Sequence, residues 1–207
     1  MRLNNVALAI TGASGSAYGL RLLEVLLALG VRVQLMISAP GRMVIAEETD
    51  LRLPSRASEI AAILGARFAA PDGALRVYGK EDWFAPVASG SNPPDAMVVC
   101  PCTTGTLAEL AAGTSRTLIE RAADVAIKER RPVILVVRET PFSAIHLENM
   151  LRLARAGVTI MPANPGYYHR PEEVEDLVDY MVARVLDHLG LKHELMGRWG
   201  DEHAPAP

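Results

Sequence analysis

The sequence predicts an α/β fold: a doubly wound parallel sheet of the Rossmann-like or flavodoxin-like three-layer kind, in a single domain. Three observations carry that expectation. Short continuous apolar runs read as strands buried on both faces, amphipathic stretches lie between them, and the strand-to-helix turns are built from glycine and hydroxyl residues. The 207 residues are 50% hydrophobic and 22% charged, the composition of an ordinary globular chain able to bury a core. Residues 1–189 are expected to form the domain, and 190–207, ending in Ala204-Pro205-Ala206-Pro207, a C-terminal tail.

Val6 to Ile10 (Val-Ala-Leu-Ala-Ile) is the first buried strand, and Thr11-Gly12-Ala13-Ser14-Gly15 the tight turn after it. Leu22, Leu23, Leu26, Leu27 and Leu29 recur at helical spacings through Tyr18 to Leu29, a helix that Gly30 stops. Val31 to Ile37 is the second strand, and the helical crossover makes it parallel to the first. The middle is less regular, with Pro54, Pro71, Asp72-Gly73, Pro86, Ser89-Gly90-Ser91 and Pro93-Pro94 punctuating short helical or extended pieces, and it reads as an insertion carrying loops. Ala96 to Cys100 is again a buried strand. Pro101 to Thr106 makes a small-residue turn before Leu107 to Ala112, and Thr117 to Arg130 is a helix ended by Pro132. Strand Val133 to Val137, a helix over Ser143 to Ala156 stopped by Gly157, a short strand Val158 to Met161 and a last helix from Pro171 to Leu189 complete the alternation.

Charge and composition exclude several classes of function. Lys+Arg total 21 against 24 Asp+Glu, a formal net charge of -3, so the chain lacks the basic balance that neutralises nucleic-acid phosphates, and any anion site must be local. Cys100 and Cys102 are too few and too close for a secreted disulfide framework, which favours a reducing, cytoplasmic setting. No apolar run has the length of a signal segment or a membrane span. The histidines show no metal-ligand spacing, and Cys-Pro-Cys has no further cysteine to complete a zinc clip, so no metal is assigned.

In a doubly wound sheet, ligands bind beyond the carboxyl ends of the strands. After the first strand, Gly12 to Gly19 is either a structural turn or a ligand cradle, and it matches neither a Walker loop nor the G-x-G-x-x-G fingerprint. Ser38 ends the second strand. Glu47-Glu48-Thr49-Asp50 reads by itself as a solvated acidic helix end. Thr103-Thr104-Gly105-Thr106 places hydroxyls at a helix start, and the two cysteines before it read as buried structural thiols. Arg121, Asp124 and Lys128 share one helix face, as an exposed ion-pair row or as something more. Arg138-Glu139 follows a buried strand directly, which sets a phosphate fork beside a carboxylate. Pro165-Gly166-Tyr167-Tyr168-His169 follows the last strand, and Arg184 lies in the final helix.

Taken in order, these stretches resemble the flavin prenyltransferases of the UbiX/Pad type. The resemblance rests on Thr11-Gly12-Ala13-Ser14-Gly15 with Tyr18-Gly19-x-Arg21-Leu22-Leu23, Glu48-Thr49-Asp50, Ser89-Gly90-Ser91, Cys100-Pro101-Cys102-Thr103 and Arg121-Ala122-Ala123-Asp124-Val125 running to Lys128-Glu129-Arg130-Arg131-Pro132. It continues through Arg138-Glu139-Thr140-Pro141, His146-Leu147, Pro165-x-Tyr167-Tyr168-His169 and Arg198-Trp199, nearly the whole chain. It implies binding of reduced FMN and dimethylallyl monophosphate, and transfer of the prenyl group to flavin N5 and C6. The product would be prenylated FMN, the cofactor of UbiD-type decarboxylases. It also implies a homododecamer with sites between subunits. By the same resemblance Gly12, Ala13, Ser14, Ser38, Thr103, Thr104, Gly105, Thr106 and Arg138 hold FMN, and Tyr168 and Arg184, with Lys128 and Glu139, hold the prenyl phosphate. Arg121 belongs to the active-site set, from the same or a neighbouring subunit, and Ser14 and Glu48 lie near the reacting flavin.

The residue chemistry agrees with these expectations. An allylic phosphate ionises without a metal when fixed cations and hydrogen bonds take up the charge of the leaving group, and Lys128, Arg121, Arg184 and Tyr168 are of the right types. Trp83 is either core filler or an aromatic wall for the cationic prenyl group. Glu139, Glu48 and the released phosphate are all candidates for the C6 proton. A flavoprotein decarboxylase and an FMN carrier without chemistry are the rival readings. The former has no need of the Lys128, Tyr168 and Arg184 set.

Overall fold

The computed structural model describes residues 3–197, so the Arg198-Trp199 motif and the Ala204 to Pro207 end lie outside the described residues. Six strands make one parallel sheet in the order β3-β2-β1-β4-β5-β6. They are β1 (Asn5–Ile10), β2 (Arg32–Ile37), β3 (Leu75–Tyr78), β4 (Ala96–Cys102), β5 (Val133–Val137) and β6 (Thr159–Pro162). The helices are α1 (Ser16–Ala28), α2 (Ala39–Glu48), α3 (Ala57–Arg67), α4 (Thr104–Ala112), α5 (Leu118–Lys128), α6 (Ala144–Arg155) and α7 (Val174–Leu189).

Strand β1 shows why the sheet carries helices on both faces. Its side chains alternate, so Val6, Leu8 and Ile10 enter one apolar cluster with Leu22, Leu23 and Leu26 of α1 and Val182 and Leu186 of α7. Ala7 and Ala9 enter the other, with Leu107 of α4 and Leu118, Ala122 and Ala126 of α5. Both faces are buried, which is why the strand reads as an unbroken apolar run. Parallel register holds from Asn5 opposite Arg32 to Ile10 opposite Ile37. Between β4 and β5 the register shifts after Val99, where Pro101 has no N–H to give the ladder.

Two expectations need correction. The segment read as an insertion holds α3 and β3, and β3 forms the sheet edge beside β2; α2, which precedes it, is marked in the sequence only by its acidic end. The signal is weak because β3 has four residues, none fully buried, while α2 buries only Gly41 and Ile45, and α3 only Ile60 and Leu64. The last helix starts at Val174 rather than Pro171, because the Asp176 carboxylate accepts the Glu172 and Glu173 N–H groups at 2.8 and 3.1 Å and so fixes its start. Cys100 and Cys102 are buried free thiols, and burial raises both above the usual range, Cys102 to about 12. Among the described residues, no helix is long and apolar enough to cross a membrane.

Candidate active site

The strand order reverses at β1 and β4, which opens a crevice at their carboxyl ends. A chain of hydrogen bonds ties the loops there into one floor. The Ser38 N–H donates to the Ile10 carbonyl at 3.0 Å, and the Ser38 hydroxyl caps α2 by accepting the Gly41 N–H. The Thr11 hydroxyl donates to the Pro101 carbonyl at 2.8 Å and accepts the Thr103 N–H at 2.9 Å. The Arg138 N–H donates to the Cys102 carbonyl at 3.2 Å. Thr103 caps α4 through the Thr106 N–H at 3.0 Å, and its hydroxyl also bonds that of Thr106. Gly12, Ala13, Ser14, Ser38, Thr103 to Thr106 and Arg138 therefore stand together. Thr11, outside the candidate set, is the tie between the two central loops; it is 2% exposed.

Glu48 is no idle helix end. Its carboxylate crosses to the β1–α1 loop and accepts the Gly15 N–H at 3.1 Å and the Ser16 N–H at 2.8 Å. Burial alone would raise this carboxyl; hydrogen bonds from Ser14, Ser16 and the loop N–H groups outweigh it and hold it below the usual value. The loop can present those groups because Gly15 takes φ 97°, a conformation that costs glycine little. On the other side of the crevice, Glu139 accepts the Thr140 N–H at 3.1 Å and the Thr104 hydroxyl at 3.4 Å.

A Cβ placed on Gly12 would lie 2.5 Å from Cβ of Pro40, so the missing side chain lets the β1–α1 loop pack against the start of α2. One feature fits a flavin nucleotide. Arg138 Nε is buried without a hydrogen-bond partner among the described residues, a donor that a bound acceptor would satisfy. With the hydroxyls of Ser14, Ser38, Thr103, Thr104 and Thr106, this donor makes a polar floor to the crevice.

The prenyl-phosphate set is not assembled in one chain. Helix α5 starts where the Leu118 N–H meets the Lys80 carbonyl and runs back toward the amino ends of the strands, so Lys128 stands about 15 Å below its start. Lys128 pairs with Glu129 at 2.5 Å; Arg121 pairs with Asp124 at 2.7 Å and donates to the Ala88 carbonyl at 3.0 Å. The ion-pair row therefore exists only in part, and Arg121 holds the segment before Ser89-Gly90-Ser91. Arg184 sits on α7, against the opposite face of the sheet, and pairs with Asp187 at 2.9 Å. Tyr168 is exposed on the loop after β6. Trp83 is 44% exposed, beside a fully exposed Phe84, so it does not fill the core.

Comparison with known proteins identifies the family. The flavoprotein family model fits residues 1–186. Flavin prenyltransferase UbiX of Pseudomonas aeruginosa is 54% identical over 198 residues, covering 96% of this chain and 95% of that protein. The chain belongs to the flavin prenyltransferase family. Among solved structures similar to this flavin prenyltransferase, AnUbiX in complex with FMN and dimethylallyl pyrophosphate gives a TM-score of 0.85 at 39% identity, covering 96% of this chain and 98% of that one. The dodecameric FMN-dependent UbiX-like decarboxylase from Escherichia coli gives 0.82 at 40% identity, covering 94% and 98%.

Proposed function

We propose that this flavin prenyltransferase joins the dimethylallyl group of dimethylallyl monophosphate to N5 and C6 of reduced FMN, releasing phosphate and giving prenylated FMN for a decarboxylase of the UbiD type. The observation that carries the reading is the crevice at β1 and β4, with its unpartnered Arg138 donor, in a chain that matches flavin prenyltransferases over nearly its full length. Reduced FMN, when bound, supplies the nucleophilic N5 and C6. Gly12, Ala13, Ser14, Ser38, Thr103 to Thr106 and Arg138 hold and orient it by backbone approach, hydroxyls and a guanidinium. Lys128, Arg121 and Arg184, with the Tyr168 hydroxyl, take up the charge that develops on phosphate as its bond to the allylic carbon breaks, so no metal is required for this step. Glu139 is held by Thr104 and the Thr140 N–H close to the crevice, and with Glu48 and the released phosphate it is a candidate to receive the C6 proton.

Lys128 and Arg184 lie on opposite faces of one sheet, so the complete site belongs to a junction where one subunit's crevice meets its neighbours' cations. A homododecamer acting in the cytoplasm is the assembly we propose, with Trp83 facing the prenyl group at that junction. The test is anaerobic incubation with reduced FMN and dimethylallyl monophosphate, without metal, and mass spectrometry of the released flavin. A gain of one prenyl unit is expected, and the pyrophosphate run in parallel reports the preferred donor. Unchanged FMN recovered from folded, flavin-loaded protein with either donor would sink the proposal.

A further inference from the structure

We propose that His193 positions Arg184, acting through Asp187, and so makes the segment after α7 a part of the prenyl-phosphate subsite. The inference rests on the reading above that Arg184 binds that phosphate. Helix α7 ends at Leu189 with Gly190 as its cap, and the chain folds back so that the Leu191 N–H donates to the Leu186 carbonyl at 3.0 Å. Leu191 and Leu195 pack against the core cluster shared by α1 and α7, which anchors the segment at both ends. Between them, the His193 side chain is only 4% exposed.

The hydrogen bonds fix its ring. Leu195 N–H donates to Nδ1 at 3.4 Å, so Nδ1 is the acceptor, which leaves Nε2 to donate toward Asp187 Oδ1 at 3.3 Å. The other Asp187 oxygen, Oδ2, accepts from the Arg184 guanidinium at 2.9 Å. One carboxylate thus spans a fixed imidazole and a long, half-exposed cation. Beside it lies an open groove of about 420 Å³ lined by Arg184, Asp187, Gly190, Leu191 and Lys192. The segment that carries His193 therefore also brings a second cation to the space that Arg184 faces. An arginine held before its anion arrives loses less side-chain freedom on binding, and the same placement carries over to the transition state.

Steady-state kinetics of the full chain with reduced FMN and dimethylallyl monophosphate test this, using His193→Leu, His193→Gln, Arg184→Ala and the Leu/Ala double variant. His193→Leu is expected to raise KM for the prenyl phosphate roughly three- to tenfold, with a smaller change in kcat and FMN affinity within about twofold of wild type. His193→Gln, whose amide still offers an N–H toward Asp187, recovers most of the loss. In the Arg184→Ala background, His193→Leu adds less than about twofold. Equal losses in both backgrounds, FMN affinity that falls in step with KM, or a glutamine no better than leucine would overturn the proposal in favour of a purely structural histidine. A wild-type KM in Arg184→Ala would overturn the assignment of Arg184 to phosphate, and this proposal with it. Should His193→Leu fail to fold, Asp187→Ala enters the same cycle with the same expectations.

Discussion

Arg138 and Glu48 show how single residues at the crevice divide binding from stability. A buried donor without a partner costs folding free energy, roughly 1–3 kcal/mol for a neutral group, and Arg138 Nε is such a donor among the described residues. Arg138→Leu is therefore expected to leave the flavin-free protein as stable as wild type or more so, while FMN binds at least tenfold more weakly. Thermal melts with and without FMN check both halves. Glu48 behaves in the opposite way. Its folded-state carboxyl lies below the ordinary value of 4.5, so it contributes stability that is present above that value and is lost as pH falls through the folded one. Glu48→Gln should accordingly be less stable than wild type near neutral pH, and the gap should close as the solution is acidified below 4.5. A gap that stays constant with pH in urea titrations would show that the charge of Glu48 contributes nothing to the loop.

Among the elements, α1 and α7 are joined by more than their shared apolar cluster. Arg21 Nε meets Asp179 Oδ1 at 2.7 Å and a second nitrogen meets Oδ2 at 3.1 Å, with Glu24 accepting a third contact at 2.8 Å. The pair is partly screened by water, so Arg21→Met, which keeps the packed stem, should cost about 1 kcal/mol in urea unfolding. Elements that bury a whole face were legible in the sequence. Strands β1, β4 and β5 are nearly continuous apolar runs, and α5 buries Leu118, Ile119, Ala122, Ala123, Val125 and Ala126 along one stripe. By contrast, α2, α3 and β3 were not, since each puts few side chains into the core and proline and glycine dominate the pattern around them. The same contrast holds at the site. Glycines and hydroxyls at strand ends mark Gly12 to Gly15 and Thr103 to Thr106, and Arg138 is marked by its place directly after a buried strand, while the assignment of these residues to FMN rests on the family resemblance. Contacts between distant segments, such as Thr11 with Thr103, Glu48 with Gly15 or His193 with Asp187, leave no local pattern to find.

For the molecule as a whole, the separation of crevice from cations makes a prediction about mixed assemblies. Arg138→Ala removes a crevice residue and Lys128→Ala a cation, and each alone should be nearly inactive in prenyl transfer. Co-assembled in equal amounts, the two variants should recover roughly a quarter of wild-type activity, the share of junctions that combine two intact halves. Activity that stays at the level of the separate variants would place both residues in a site closed within one chain. On α6, Leu147 and Leu151 lie one turn apart and are exposed, an apolar pair of the kind that subunit contact covers. The carboxylates also set where an anion can rest in the crevice. Glu48 is seated on the β1–α1 loop, and Glu139 stands beside Thr104 at the start of α4. Of the residues proposed to hold FMN, Arg138 alone offers a full positive charge, so a phosphate drawn in by charge has one guanidinium to meet between two resident negative groups.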